Sequence, residues 1–120
     1  FFFCPIKGII TNSFNINEDH FGIDVAAKEN ELIKSTLDGT VISAEYTSND
    51  GYTIQIQHGH DLISIYKHCS VLTKKTGDFI KAGEPIAIVG NTGELSSGPH
   101  LHFEIWYNGF SINPQNYVVF

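Results

Sequence analysis

The sequence predicts an all-β protein of one domain with a largely antiparallel sheet. Three observations predict it. Several runs alternate apolar and polar residues with period two, glycine-rich turn signals recur at regular spacing, and no segment carries a sustained helical period. GTVISAEY (39–46) alternates and is rich in β-branched residues, which suit strands. SNDG (48–51) follows, and its Asp-Gly pair is a strong hairpin signal. GYTIQIQH (51–58) places Ile54 and Ile56 on one face and Gln55 and Gln57 on the other. The turn HGHD leads into DLISIYKH (61–68). EPIAIVGNTG (84–93) reads as a buried strand ending in a loop, and PHLHFEIWYNG (99–109) as the last long strand, closed by a turn at its Asn-Gly. KENELIKST (28–36) and SVLTKKTG (70–77) have the makings of short helical turns.

Composition bounds the function. The chain has 120 residues, of which 42% are apolar, enough for one cored domain. Its net charge is −6, and all 7 basic residues are lysines without a cluster, which argues against nucleic-acid binding. No apolar run approaches the ~20 residues that a membrane span needs. The opening FFFC is too short for a signal peptide. The chain starts without Met, and we read it as a piece excised from something longer. Cys4 and Cys69 allow at most one disulfide, and two buried thiols are the simpler expectation.

The chemistry gathers in two stretches. In SSGPHLHFEIW (96–106), period two sends His100 and His102 to one face and Leu101 and Phe103 to the other. In DHFGIDVAA (19–27), extended geometry puts His20, Gly22 and Asp24 on one side, and the small Gly22 leaves room for an ion. His20, Asp24 and one histidine of the His-Leu-His pair make a two-histidine, one-carboxylate set. Such a set suits Zn²⁺ with one position open for water. The other histidine of the pair would sit beside the metal, to take a proton or steady an oxyanion. His68, in YKHCS, sits late in a strand with Tyr66 on the same face and is the natural third imidazole. Alternation points Cys69 away from His68. Gly90, Gly93 and Gly98 bracket the loop that feeds the His-Leu-His strand. Tyr52, Trp106 and Tyr107 are candidates for a groove or for packing. His58 and His60 read as turn or surface residues, with core support by His58 as the alternative.

HFGIDVAA, IYKHCS and TGELSSGPHLHFEI stand in order, with DGTV, GDFIKAGEPIAIVG and INPQNY among and after them. From about Ile9 to Tyr117 the chain resembles the lysostaphin-type zinc metallopeptidases, which are peptidoglycan endopeptidases. The resemblance implies one Zn²⁺ per chain, held by His20, Asp24 and His102. It implies His100 as general base and His68 as a second catalytic histidine. Tyr66 would be a wall of the substrate groove. The partners it implies are stem peptides or cross-bridges of peptidoglycan, met by a monomer in the cell envelope, periplasmic or extracellular. Family members often read SxFGxR before the first ligand. Here the stretch is NSFNINEDH, with Asn15 in place of glycine and no arginine, and Cys69 stands where leucine is usual.

Other classes fit less well. HFGID also resembles a stretch of glucose-type sugar-phosphotransferase carriers, but there it comes late in the chain and GPHLHFE has no counterpart. GDFIKAGEPIAIVG resembles the hairpin of biotinyl- or lipoyl-type carriers, yet no lysine sits in the expected turn. A non-catalytic or auto-inhibited wall-binding or activator domain that keeps the zinc site is the remaining alternative. Some relatives lose ligands and become activators, whereas all five positions are intact here.

Overall fold

The computed structural model describes residues 2–90 and 98–120. Among these, ten strands join one sheet: β1 (Ile9–Asn12), β2 (Ile23–Ala26), β3 (Leu32–Lys34), β4 (Gly39–Thr47), β5 (Gly51–Gln57), β6 (Leu62–Leu72), β7 (Phe79–Ile80), β8 (Pro85–Val89), β9 (His100–Tyr107) and β10 (Phe110–Ile112). Two single 3-10 turns, Ile16–Glu18 and Pro114–Asn116, complete the elements. Every strand pairing among the described residues is antiparallel, as the alternating runs and short turns predict. No helix among them is long and apolar enough to cross a membrane.

The hairpin signals hold. β4 and β5 pair across the Asp-Gly turn, and Gly51 has φ +71°. His60 and Asp61 take φ +59° and +60° in the turn before β6, and Asn108 and Gly109 take +53° and +84° before β10. Ile54 and Ile56 are fully buried, while Gln57 is exposed.

The two expected helical turns do not form. Leu32–Lys34 pairs with β8 instead, with Leu32 opposite Ile88 and Ile33 opposite Ala87. Ile33 is fully buried there, and that burial with its ladder hydrogen bonds overrides the local helical composition. Ser70 and its neighbours complete β6 and run into a turn.

The main path of the sheet runs β1-β2-β9-β6-β5-β4-β7. β6 is its fork. Residues 62–67 pair with β9, but residues from Cys69 onward pair with β8. At the fork β6 bulges. Tyr52 and Ile54 of β5 are two residues apart, yet they face Cys69 and Tyr66, which are three apart. The extra residue re-aims the side chains around it, and His68 there has φ +66°. The core lies under the other face, with Ile23, Val25, Tyr66, Leu101 and Phe103 fully buried.

Candidate active site

β9 organises the cleft. Its period of two sends Leu101, Phe103 and Ile105 into the core, each no more than 1% exposed. His100, His102, Glu104 and Trp106 leave from the opposite face. On one side of β9, Asp24 of β2 stands opposite His102, and on the other, Lys67 of β6 does. His20 arrives from outside the sheet. The 3-10 turn at 16–18 folds the chain back, and two backbone hydrogen bonds of 2.9 Å join Asn15 to His20. Asn15 has extended backbone, φ −154°, and its side chain accepts a hydrogen bond from the Asn17 N–H. No glycine is required at that position, and the asparagine caps the turn.

Gly22 has a different role from the one its size suggests. A Cβ there would lie 2.3 Å from the Phe103 carbonyl oxygen and 2.7 Å from Glu104 Cγ. The glycine lets the chain pass tightly against β9.

His20, Asp24 and His102 come together. One ligand atom from each lies within 4.8 Å of the others. His20 Nε2 is 3.3 Å from Asp24 Oδ2, and His102 Nδ1 is 2.7 Å from Asp24 Oδ1. The outer ring nitrogens are committed elsewhere. His20 Nδ1–H donates to the Ser13 carbonyl at 2.7 Å, and His102 Nε2–H donates to Glu104 Oε2 at 2.7 Å. Each ring therefore turns its remaining nitrogen inward. His20 Nε2 is buried without a well-directed hydrogen bond, because its approach to Asp24 is too poorly aligned to count as one. A buried lone pair beside a second imidazole nitrogen and a carboxylate is a donor set that fits Zn²⁺.

Electrostatics follow from these contacts. Burial would raise the Asp24 pKa, but the hydrogen bond from His102 and the nearby imidazoles hold it below the ordinary carboxylate value. Burial would likewise raise Glu104, yet bonds from His102 and Trp106 and the Lys67 charge keep it low. For His102 burial alone would lower the pKa. Its bonds to Asp24 and Glu104 outweigh that and push it up to about 9.

The other two histidines stand beside the cluster. The rings of His68 and His100 are 4.9 Å apart, and His68 is 6.2 Å from His102. His100 Nδ1–H donates to the Gly98 carbonyl at 2.8 Å, so the neutral ring carries its lone pair on Nε2. Gly98 has φ +105°, which gives that turn its need for glycine, whereas Gly93 lies outside the described residues. The cleft holds about 350 Å³ and is lined by all five residues together with Asp19, Asp50 and Lys67.

Tyr66 is not the groove wall that the family resemblance implies. It is fully buried, packs on Phe103 at 5.2 Å between ring centroids, and does not line the cleft. The bulge is the reason. Strict alternation would keep Tyr66 and His68 on one face, but the extra residue leaves Tyr66 and Cys69 in the core and turns His68 outward with Lys67. Cys69 is fully buried, and burial pushes its thiol up to about 12, so it is no nucleophile. Cys4 is half-buried, and the two cysteines are not bridged.

The Tyr66 hydroxyl ends a buried polar chain. It accepts from the Thr36 N–H at 3.0 Å and bonds Ser64 Oγ at 2.8 Å. Ser64 Oγ in turn bonds His58 Nε2 at 2.7 Å, while His58 Nδ1–H donates to the Asp38 carbonyl at 2.6 Å. His58 thus supports the core, and His60 sits in its turn. Of the three groove candidates, Tyr52 and Tyr107 are exposed and Trp106 is half-buried, and none lines the cleft.

Two cleft residues, Glu104 and Lys67, had no role on sequence grounds. Glu104 was within reach, since period two puts it on the face of His100 and His102. Lys67 was not, because it joins His68 on one face only through the bulge.

The model of peptidase family M23 matches residues 18–114. Among curated proteins, the chain is 40% identical over 83% of its length to an uncharacterized metalloprotease of Buchnera aphidicola, covering 26% of that protein. It is 36% identical over 95% of its length to the murein hydrolase activator NlpD of Escherichia coli, covering 30% of it. It is 35% identical over 79% of its length to the DD-carboxypeptidase/endopeptidase Mpg of Neisseria meningitidis, covering 22% of it. The chain thus spans about a quarter of the length of these relatives. Among solved structures, Helicobacter pylori Csd3 superposes with a TM-score of 0.87 at 34% identity, over 99% of this chain and 33% of that one. The catalytic domain of lysostaphin from Staphylococcus simulans does so with 0.76 at 27% identity, over 93% and 89%.

Proposed function

The chain belongs to peptidase family M23, the lysostaphin-type family, and from that premise we propose that it is a zinc-dependent endopeptidase cutting peptide cross-links of bacterial peptidoglycan. It works as one catalytic domain of a longer envelope protein, periplasmic or extracellular, and as a monomer. One observation carries the reading. Five side chains from three separate stretches of the chain converge on one cleft, with the outer nitrogens of His20, His100 and His102 already bonded away from it.

His20 Nε2, the Asp24 carboxylate and His102 Nδ1 would hold Zn²⁺. When bound, zinc supplies a water acidified towards neutral pH and a Lewis acid for the scissile carbonyl. His100 Nε2 accepts the proton of the attacking water, because Nδ1 is occupied by Gly98. It then passes that proton to the leaving amine. His68, 4.9 Å away ring to ring, donates to the oxygen that gains charge at the carbonyl. Asp24, held anionic, balances the site. No side chain serves as nucleophile.

A second reading is a non-catalytic or auto-inhibited activator domain that keeps the zinc site. It is favoured by the similarity to the murein hydrolase activator NlpD over 95% of the chain. One experiment separates the two. The protein is incubated with isolated peptidoglycan and new amino groups are followed with chelator and with zinc restored. Release that stops on chelation and returns with zinc is the expected result. Bound zinc without release on several wall types would favour the activator.

A further inference from the structure

We infer that Glu104 is a positioning residue for the metal site, fixing the His102 ring so that Nδ1 faces Asp24. The inference rests on the zinc reading above.

Glu104 is 5% exposed, so its carboxylate is nearly removed from water and needs partners. It has three, all donors. His102 Nε2–H reaches Oε2 at 2.7 Å, Trp106 Nε1–H reaches Oε1 at 2.7 Å, and Lys67 Nζ stands 3.6 Å from Oε2. Lys67 is itself tied to Asp50 at 3.3 Å. The carboxylate is therefore clamped from both oxygens and cannot turn away from His102. On the backbone side Gly22 leaves the space that Glu104 occupies, since a Cβ there would come within 2.7 Å of Glu104 Cγ.

The consequence falls on the imidazole. A histidine donating Nε2–H to a fixed carboxylate presents Nδ1 as its inward nitrogen, and the anion increases the basicity of that nitrogen. His20 gets weaker help, because its outer nitrogen donates to a neutral carbonyl, that of Ser13. Of the two imidazoles in the cluster, His102 is the more strongly supported. Glutamine cannot replace Glu104. One end of its amide accepts, but the other donates and would face either the Trp106 or the His102 N–H.

The test is zinc affinity, measured by competition against a chromophoric chelator, for the parent protein and for Glu104→Gln and Trp106→Phe. Far-UV circular dichroism checks that each variant is folded. The expected loss for Glu104→Gln is about 10–100-fold, the range for removing an outer partner of a ligating histidine. Trp106→Phe removes one clamp and keeps the carboxylate, so its loss should be smaller. Trp106 also reports directly, because it is the single tryptophan of the chain. Zinc should shift its emission in the parent and shift it less in Glu104→Gln at saturating metal. A folded Glu104→Gln that binds zinc as tightly as the parent overturns the inference and leaves the zinc reading standing. If Glu104→Gln fails to fold, Trp106→Phe with undiminished affinity overturns it, and weakened affinity in that variant supports it. A folded parent that takes up no zinc overturns both.

Discussion

His58 and His102 both have both ring nitrogens engaged, and they sit against opposite faces of the same sheet. The partners of His58 are a backbone carbonyl and a hydroxyl. Burial therefore pushes its pKa down, and the ring stays neutral. The partners of His102 are two carboxylates, and its pKa rises to about 9. Burial disfavours the charged form of both rings, so the neighbours decide the charge. The first environment serves packing. The second holds positive charge, and a dication suits it as well as a proton does.

The largest test of this contrast is loss of function. His102→Ala should lose zinc and hydrolysis together. His100→Ala should retain zinc and lose about 10²–10⁴-fold in rate, the usual contribution of a positioned general base. Metal analysis alongside turnover checks both, and near-parental turnover in His100→Ala would remove that residue from the mechanism. Tyr66→Phe should do the reverse. It removes the hydroxyl that the Thr36 N–H and Ser64 share in the core, at about 1–3 kcal/mol of stability. Denaturant unfolding reads that loss, and zinc content should not change.

A subtler test is the dependence of stability on pH. Unfolded His58 has an ordinary pKa of about 6.5, and the folded ring has a lower one. The unfolded chain therefore binds the extra proton, and stability falls as pH drops through about 6.5. In chelator-stripped protein His102 behaves oppositely. Its contribution is present below about pH 6.5 and is lost as pH rises through about 9. Thermal melts should show both limbs. His58→Gln should flatten the acid one, and added zinc should remove the alkaline one, because the metal replaces the proton. Two limbs that move together under either change would mean that the regions are not independent.

The legible parts of this molecule were those governed by period two. The shared face of His100 and His102, the burial of Ile54 and Ile56 and the tight turns all follow from alternation and turn chemistry. What alternation could not give was its own interruption. One extra residue in β6 exchanges the surroundings of Tyr66 and His68, and nothing local in IYKHCS announces it. The short strand at Leu32–Lys34 was hidden for another reason, since its pairing with β8 joins residues more than fifty positions apart. Asn15 shows the converse. A departure from the family pattern turned out to be a workable cap, because the backbone there is extended.

The Asp24–His102 contact spans 78 positions of sequence. During synthesis, His20 and Asp24 emerge first as an incomplete pair, and their third member follows only when β9 has been made. Closing so long a loop carries an entropic cost that local contacts do not. Complete assembly of the cluster thus waits for β9, and a fragment ending before residue 102 lacks the third donor. Tight metal uptake by a growing or refolding chain would mark the moment at which β9 slots between β2 and β6.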